Sequence, residues 1–433
     1  MLLKKIATLE KNMIIKSKNI NIQKRLGQGI ICLIVLSLSI TLEAAETGVT
    51  SNSIRIGGVM DLNGRSKGLG LGMKAGIEAA LKGQKIQGKS IEYVTANDSY
   101  TPQKTIDETQ NMVDRGIFAM IGNVGTPTAK VSLPILAQNR VPAVGFFTGA
   151  GLLRPGVGEV TNYRASYVQE TAAVISAALA NGIKADEICA FVQNDAYGMA
   201  GVTGIKRAFA GVNQLSTQTR NALNQIIEME GENPQRNSIG PVGVYQRNTN
   251  ISAPGYKSLK AWEQAQSVSC KIVVTVGAYT AIAKFIEYSR YKGETWLVSA
   301  VSFTGAGNLS NTLASANIFD GVIMTQVVPP LNSELEIVKR AKKALGSKFG
   351  YVSLEGYIVG KMWLKAMNDI KGEITRAKFL ESIRTSEYSQ GGVDLNFTDD
   401  NQGSDLVVMT RLGADSGFQP MQDSEWSVLF NAH

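Results

Sequence analysis

Residues Gly83–Ser90 read GQKIQGKS and match G-x-x-x-x-G-K-[ST], the spacing with which a glycine loop cradles nucleotide phosphates. That chemistry needs a strand before the loop and a helix after it, so that backbone N–H groups and the helix N-terminus converge on the phosphates. The order here is reversed. GMKAGIEAALKG precedes, with Met73, Ile77, Ala80 and Leu81 at helical spacing, and the alternating IEYVTAND follows. Gly83 and Gly88 are therefore expected to stop a helix and turn the chain into a strand. Gly68, Gly70 and Gly72 also miss the G-x-G-x-x-G dinucleotide spacing. The single histidine is His433, the last residue, which rules out a histidine-dependent triad and a histidine-rich metal site. No metal and no cofactor are expected. Asp195 with Tyr197 is the one pair worth testing for acid–base work, and the strand-end loops hold no pair of carboxylates. These residues favour recognition without catalysis.

The elements that would position such residues follow a regular rhythm. Short β-type runs alternate with amphipathic stretches: SIRIGGVM, a helix from about Gly70, SIEYVTA, a helix from Pro102, IFAMIG, a helix from Pro127, then VPAVGFF. That order implies a parallel sheet with helices on both faces. The rhythm restarts after NYRASYVQE with a helix over 167–181, ICAFVQ, a helix from about Gly198, KIVVTVG, a helix over 279–291 and WLVSAVS. Residues 211–257, rich in Asn, Gln, Gly and Ser, are expected to hold one strand, PVGVYQ, between long loops. Helices near 333–346, 353–371 and 375–386 and two late strands, VDLNFT and DLVVMTRL, complete the chain. The expected fold class is α/β, with two doubly wound lobes.

Open α/β sheets bind ligands outside the carboxyl ends of their strands. The first such loop is DLNGRSKGLG, which contains Leu69. The second, IGNVGTPTAKVSLP, places Thr126 as N-cap and Pro127 at the first helical position, with Thr128 following. Free N–H groups there could hold a carboxylate; an ordinary capped turn is the alternative. The third, GFFTGAGLLRPG, would set Thr148 beside it, with Phe146 or Phe147 as an apolar wall. From the second lobe, QNDAYG and VGAYTAI would aim Tyr197 and Tyr279 between the lobes, each offering a flat apolar face and one hydrogen bond. Taken singly, either could equally be a packed surface tyrosine.

Charge and leader agree with export. Of the +8 net charge, residues 1–45 carry seven basic and two acidic residues, +5 in all, which leaves +3 for the rest. No basic stripe remains, so nucleic acid is not an expected partner. A basic segment ending at Arg25 is followed by GIICLIVLSLSITL and EAAE, a signal peptide over 1–45 with cleavage near Ala44 or Ala45. The apolar run is short of the roughly 20 residues of a membrane span, although an uncleaved anchor is the alternative. In an oxidising compartment Cys189 and Cys270 are either separate buried thiols or a disulfide, the latter if their strands are neighbours.

The strand-end loops also carry a resemblance. DLNGRSKGLGLGMKAGIEAAL, AMIGNVGTPTAKVSLPILAQNRVPAVGFFTGAGLLR, NYRASYVQETAAV, VQNDAYGMAGVTGIKRAF and SFTGAGNLSNTL through SLEGYIVGKMWLKAM resemble the periplasmic ligand-binding proteins of the leucine/isoleucine/valine-binding type, from about Ser53 to Pro420. The resemblance implies a type I periplasmic binding fold, with 46–164 plus 327–390 as one lobe and 165–326 plus 391–433 as the other. Three hinge crossovers are expected near Tyr163–Ala165, Thr325–Val328 and Ser389–Val393. It implies a ligand carboxylate on Thr126, Pro127 and Thr128 and on Phe147, Thr148 and Gly149. Tyr197 and Tyr279 would close from the other lobe, Tyr167 would face the cleft from the first crossover, and Leu69, Ser302 and Phe303 would complete the lining. Amino-acid binders of this type carry an acid for the α-ammonium in the loop matching SAVSFTGAGN, which has none here. Asp195 or Glu170 would have to substitute; otherwise the ligand is a carboxylic acid, an amide or another small polar metabolite. The implied protein is a periplasmic, monomeric, non-enzymatic receptor that delivers its ligand to the permease of an ABC importer. A receptor feeding a chemoreceptor or sensor kinase is the alternative.

Overall fold

The computed structural model describes residues 46–212, 215–231, 233–414, 417–422 and 424–432. The expected leader, residues 1–45, lies outside the described residues.

The first sheet is built by β1 (Ser53–Met60), β2 (Lys85–Ile86), β3 (Lys89–Asn97), β4 (Met120–Ile121), β5 (Ala143–Val144) and β6 (Val160–Thr161), in the order β2-β3-β1-β4-β5-β6. Every pairing is parallel except that of β2 with β3. Its crossover helices are α1 (Lys67–Leu81), α2 (Pro102–Asp114) and α3 (Thr126–Gln138). Gly83 and Gly88, at φ of +71° and +80°, make the turns from α1 through β2 into β3. The phosphate-loop spelling is thus part of a β-hairpin, with no strand-to-helix turn to hold phosphate.

The chain continues through α4 (Tyr167–Ala180), β7 (Ile188–Gln193), α5 (Ala196–Ala208), α6 (Thr217–Glu228) and β8 (Val242–Tyr245). Next come α7 (Ala253–Gln266), β9 (Ile272–Val276), α8 (Tyr279–Tyr291), β10 (Leu297–Ala300), α9 (Ala306–Ala314) and β11 (Val322–Gln326). It returns to the first sheet's helices with α10 (Glu336–Leu345), α11 (Tyr351–Asp369) and α12 (Arg376–Arg384). A hairpin of β12 (Glu387–Gln390) and β13 (Val393–Asn396) follows, then β14 (Val408–Leu412), β15 (Phe418–Pro420) and α13 (Glu425–Ala432). The second sheet has the order β15-β14-β11-β10-β9-β7-β8, parallel from β11 to β8 and antiparallel at β14 and β15. The molecule is therefore α/β with two mainly parallel sheets.

Three readings need correction. Residues 211–257 hold α6 and the start of α7 as well as β8. The polar composition hid α6, whose buried face is Thr219, Ala222, Leu223 and Ile226 at helical spacing. The two late strands belong to different sheets, because β13 pairs with β12 while β14 pairs with β11 and β15. The stretch Ser389–Val393 lies in the β12–β13 hairpin.

Packing fixes the first lobe's helices closely. A Cβ at Gly76 of α1 would stand 2.1 Å from the Ser353 carbonyl of α11, so only glycine lets these helices touch there. In the second sheet β7 and β9 are neighbours, and Cys189 and Cys270 form a disulfide. The connecting segments also bond to one another. The Asn162 N–H donates to Asn401 at 2.7 Å, Gly403 donates to Asn162 at 2.9 Å and Ser404 donates to Tyr163 at 2.9 Å. Among the described residues no helix is long and apolar enough to cross a membrane.

Candidate functional site

The carboxyl ends of β4 and β5 are held together residue by residue. Phe147 N–H donates to Asn123 at 2.7 Å, and Gly125 N–H donates to Phe147 at 3.3 Å. Beyond that bridge the Thr126 and Thr148 hydroxyls are 2.7 Å apart, and Thr148 accepts from the Ala150 N–H. α3 starts one residue earlier than expected. Gly125 is its N-cap, Thr126 its first residue and Pro127 its second. Gly125 takes φ +113°, and a Cβ there would come 2.4 Å from the Tyr100 ring, so this cap position accepts only glycine. No side chain caps the helix. Thr126 and Thr128 thus carry N–H groups that the helix cannot engage itself. The Thr128 hydroxyl turns back to the Val124 carbonyl at 2.7 Å, so only its backbone faces outward.

The second sheet brings aromatic rings to this place. Tyr167 opens α4, and its N–H donates to the Gly149 carbonyl at 2.8 Å. Its ring lies 5.2 Å from Tyr197, which lies 4.6 Å from Phe303. Phe303 in turn meets Phe147 at 5.3 Å and Tyr100 at 6.2 Å, both from the first sheet. The Tyr167 hydroxyl is buried without a hydrogen bond of ordinary geometry. Burial pushes its pKa up to about 12, with Arg164 and the neighbouring Thr148 hydroxyl pulling the other way. Three hydroxyls, of Thr126, Thr148 and Tyr167, thus gather at the start of α3.

Below the rings lies a buried ionic cluster. Arg164 pairs with Glu355 of α11 at 3.0 Å and stacks over Phe147 at 4.5 Å. It also donates to the Ser302 hydroxyl, while its Nη1 has no partner. Burial opposes the Arg164 charge, but Glu355 and Glu170 outweigh it and raise its pKa. Glu355 is pushed up to about 7 by burial, with Arg164 opposing. Glu170 is raised by burial too, against the pull of Arg164. It accepts from the Ser302 N–H, the Ser302 hydroxyl and the Thr325 hydroxyl.

Asp195 caps α5 by accepting from Tyr197 N–H at 3.0 Å, pairs with Arg247 at 3.0 Å and accepts from Gln193 at 2.8 Å. Gln193 also donates to the Tyr100 hydroxyl at 3.1 Å, which joins the two sheets. Tyr279 stands at the rim, half-buried, where its hydroxyl accepts from Gly68 N–H at 3.4 Å. Leu69, fully buried, packs against Gly305 of the second lobe's loop.

The structure thus brings together Leu69, Thr126, Pro127, Thr128, Phe147, Thr148, Gly149, Tyr167, Asp195, Tyr197, Tyr279, Ser302 and Phe303 along the facing ends of two sheets. It places Tyr279 outside the ring cluster and Asp195 in an ion pair. Sequence reasoning missed Tyr100, Arg164 and Glu355. Tyr100 was accessible to the strand-end rule, since it follows β3; Arg164 and Glu355, 191 residues apart, had no local signal. The space beside Phe147, Ser302 and Glu355 has no room for a water molecule. A groove of about 690 Å³ lies elsewhere, on the first lobe's outer face between α1, β3 and α10, lined by Leu81, Lys82, Lys85, Tyr93 and Lys348. Size alone would select that groove. It contains none of the converging strand ends, and the cleft is the better candidate. Among the described residues no cluster of metal-ligating side chains occurs.

Similarity to known proteins agrees with this architecture. A sequence profile of the family described as "Periplasmic binding protein" matches residues 53–226. A possible leucine/isoleucine/valine-binding protein from Rhodopirellula baltica SH 1 is 32% identical, with a TM-score of 0.77 over 89% of this chain and 100% of that one. The fatty acid ABC transporter substrate-binding protein from Thermomonospora curvata shares the fold at 16% identity, TM-score 0.70, over 90% of this chain and 96% of that one. A solute-binding protein of an R. palustris ABC transporter, in complex with 4-hydroxybenzoate, shares it at 14% identity, TM-score 0.65, over 86% and 96%. No curated protein sequence matches the chain. Two facing α/β sheets, the family profile and a relative alike over its whole length place the chain in the periplasmic binding proteins of the leucine/isoleucine/valine-binding type, with the two-lobed type I fold.

Proposed function

We propose that the protein is an exported, periplasmic solute-binding receptor that encloses a small polar metabolite between its lobes and delivers it to the permease of an ABC importer. One observation carries this reading. The strand-end loops of both sheets converge on the start of α3, where Thr126 and Thr148 of one lobe meet Tyr167 of the other. A ligand touching both sides favours the closed arrangement, by as much as its affinity for that arrangement exceeds its affinity for the open one. The two lobes would close about the connecting segments near Asn162 and Gln402. Thr126, Thr128, Thr148 and Gly149 would hold the ligand's polar end, with Phe147, Tyr167, Tyr197 and Phe303 around its body. The protein would act as a monomer and perform no chemistry on its ligand.

The test is thermal melting of protein stripped of co-purified solute against amino acids, organic acids, amides and small aromatics. A ligand at 100 times its Kd adds about 2.7 kcal/mol. That moves the midpoint by a few degrees at this size. A hit that Tyr197→Ala abolishes supports the reading; a folded protein that responds to no solute counts against it.

A further inference from the structure

The facing ends of the two sheets are filled by the chain's own side chains. Thr126, Thr148, Tyr167, Tyr197 and Phe303 are 0% exposed, and Tyr100 and Phe147 are 1% exposed. A solute-sized space among them would leave their surfaces open to water, so they are packed against one another as in a core. Phe303 is the middle of that packing. It follows β10, at a carboxyl strand end, where an open α/β sheet places its ligand. Its ring meets Tyr197 at 4.6 Å, Phe147 at 5.3 Å and Tyr100 at 6.2 Å, with planes tilted by 59°, 34° and 38°. Tilted contacts at such distances are favourable between aromatic rings. The ring makes no hydrogen bond, however, and polar groups near it go unsatisfied. The Tyr167 hydroxyl, the Thr304 hydroxyl and the Arg164 Nη1 are buried without partners. The hydroxyls can donate or accept, and the guanidinium donates.

Resting on the solute-binding reading above, we propose that Phe303 is a displaceable plug, whose ring holds the solute's place when the lobes close alone and leaves it when a solute enters. The solute then lies between Phe147 and Tyr197, with the Phe303 ring turned alongside it. Ring and solute compete for one space. Apparent affinity is therefore the intrinsic affinity multiplied by the fraction of molecules whose ring has left. The ring offers apolar contact alone. A solute displaces it by adding hydrogen bonds to the unpartnered groups, since a buried polar group without a partner is costly. Phe303 thus sets a threshold for specificity, which a purely apolar body of its own size does not pass.

Small-angle scattering on the full-length protein, stripped of co-purified solute, reads the separation of the lobes. Phe303→Ala should raise the radius of gyration above that of the wild type, because the contacts joining the two sheets are lost. Toluene should return the variant to the wild-type radius, since an apolar hole of this size takes one aromatic ring, and should leave the wild type unchanged. Phe285→Ala vacates an equal ring from the second sheet's own packing, where Phe285 stacks on Phe191. Its radius should stay at the wild-type value with or without toluene. Phe303→Leu should shift the radius in the same direction should Phe303→Ala fold poorly. Calorimetry supplies the second reading. Any solute that raises the wild-type melting midpoint should bind Phe303→Ala roughly threefold or more tightly, whereas Tyr197→Ala abolishes its binding. An unchanged radius in Phe303→Ala, toluene that fails to restore it, or a solute that this variant binds no more tightly than the wild type overturns the plug. In the last case solute binding stands and Phe303 only lines the site. If no solute shifts the midpoint of either the wild type or Phe303→Ala, the solute-binding reading falls and the plug with it.

Discussion

Arg164 and Glu355 form an ion pair at 3.0 Å in which neither side chain is more than 3% exposed. One comes from the segment that leaves the first sheet and the other from a helix packed on it, and the same guanidinium reaches Ser302 at the end of β10. The pair therefore ties the hinge region to both lobes. Burying two charges is expensive, and removing one partner is worse than never having had the pair.

Arg164→Leu should accordingly cost about 3–5 kcal/mol, because Glu355 and Glu170 would remain buried without their cation. Urea denaturation measures it. A loss below 1 kcal/mol would mean that the cluster is hydrated in solution.

Stability should fall as pH rises through the cluster's titration. Glu355 is raised from 4.5 to about 7 by burial, so between those values the native state binds more protons than the unfolded one. Stability is then highest below that window, declines across it and levels off above it. Asp98, pushed up to about 6 by burial, adds a slope of the same sign. Glu355→Gln should remove its share, roughly 3 kcal/mol at most, which denaturation midpoints at pH 5 and pH 8 will show.

The Cys189–Cys270 disulfide spans 81 residues of sequence. Loop closure of that length restricts the unfolded chain by about 4.5 kcal/mol in the chain-entropy account. Cys189→Ser with Cys270→Ser should lower stability by 2–4 kcal/mol. Ligand affinity should hardly change, since both cysteines lie at the start of their strands, away from the carboxyl-end loops. Denaturation with calorimetry separates the two effects.

Tyr279→Phe removes the acceptor for Gly68 N–H across the cleft rim. A hydrogen bond of this kind contributes about 0.5–1.5 kcal/mol. The variant should bind any solute that the wild type binds roughly two- to tenfold more weakly while melting near the wild-type temperature without ligand.

The strand-end rule located much of the candidate site because it depends only on element order, and that order was clear in runs such as IRIGGVM and KIVVTVG. α8 begins at Tyr279 as expected, since Tyr279 follows a strand end directly. The start of α3 lies one residue earlier than expected because the Thr126 hydroxyl, the expected cap, meets the Thr148 hydroxyl of the neighbouring loop instead. α6 escaped notice because its buried face mixes Thr219 with Ala222, Leu223 and Ile226 in an otherwise largely polar stretch. Arg164 and Glu355 were illegible for a different reason. Each is a charged residue in an apolar neighbourhood, and only the fold shows that they neutralise one another.

The bonds from residues 401–404 to Asn162 and Tyr163 bear on how the molecule can move. Two separate linkers could slide past each other, letting the lobes twist as well as bend. Linkers stitched like a narrow ribbon resist that sliding and curl together, which leaves one direction of travel. In the hinge closure proposed above, opening would then follow a single angle, and whatever widened the cleft at Tyr279 would also separate Thr148 from Tyr167.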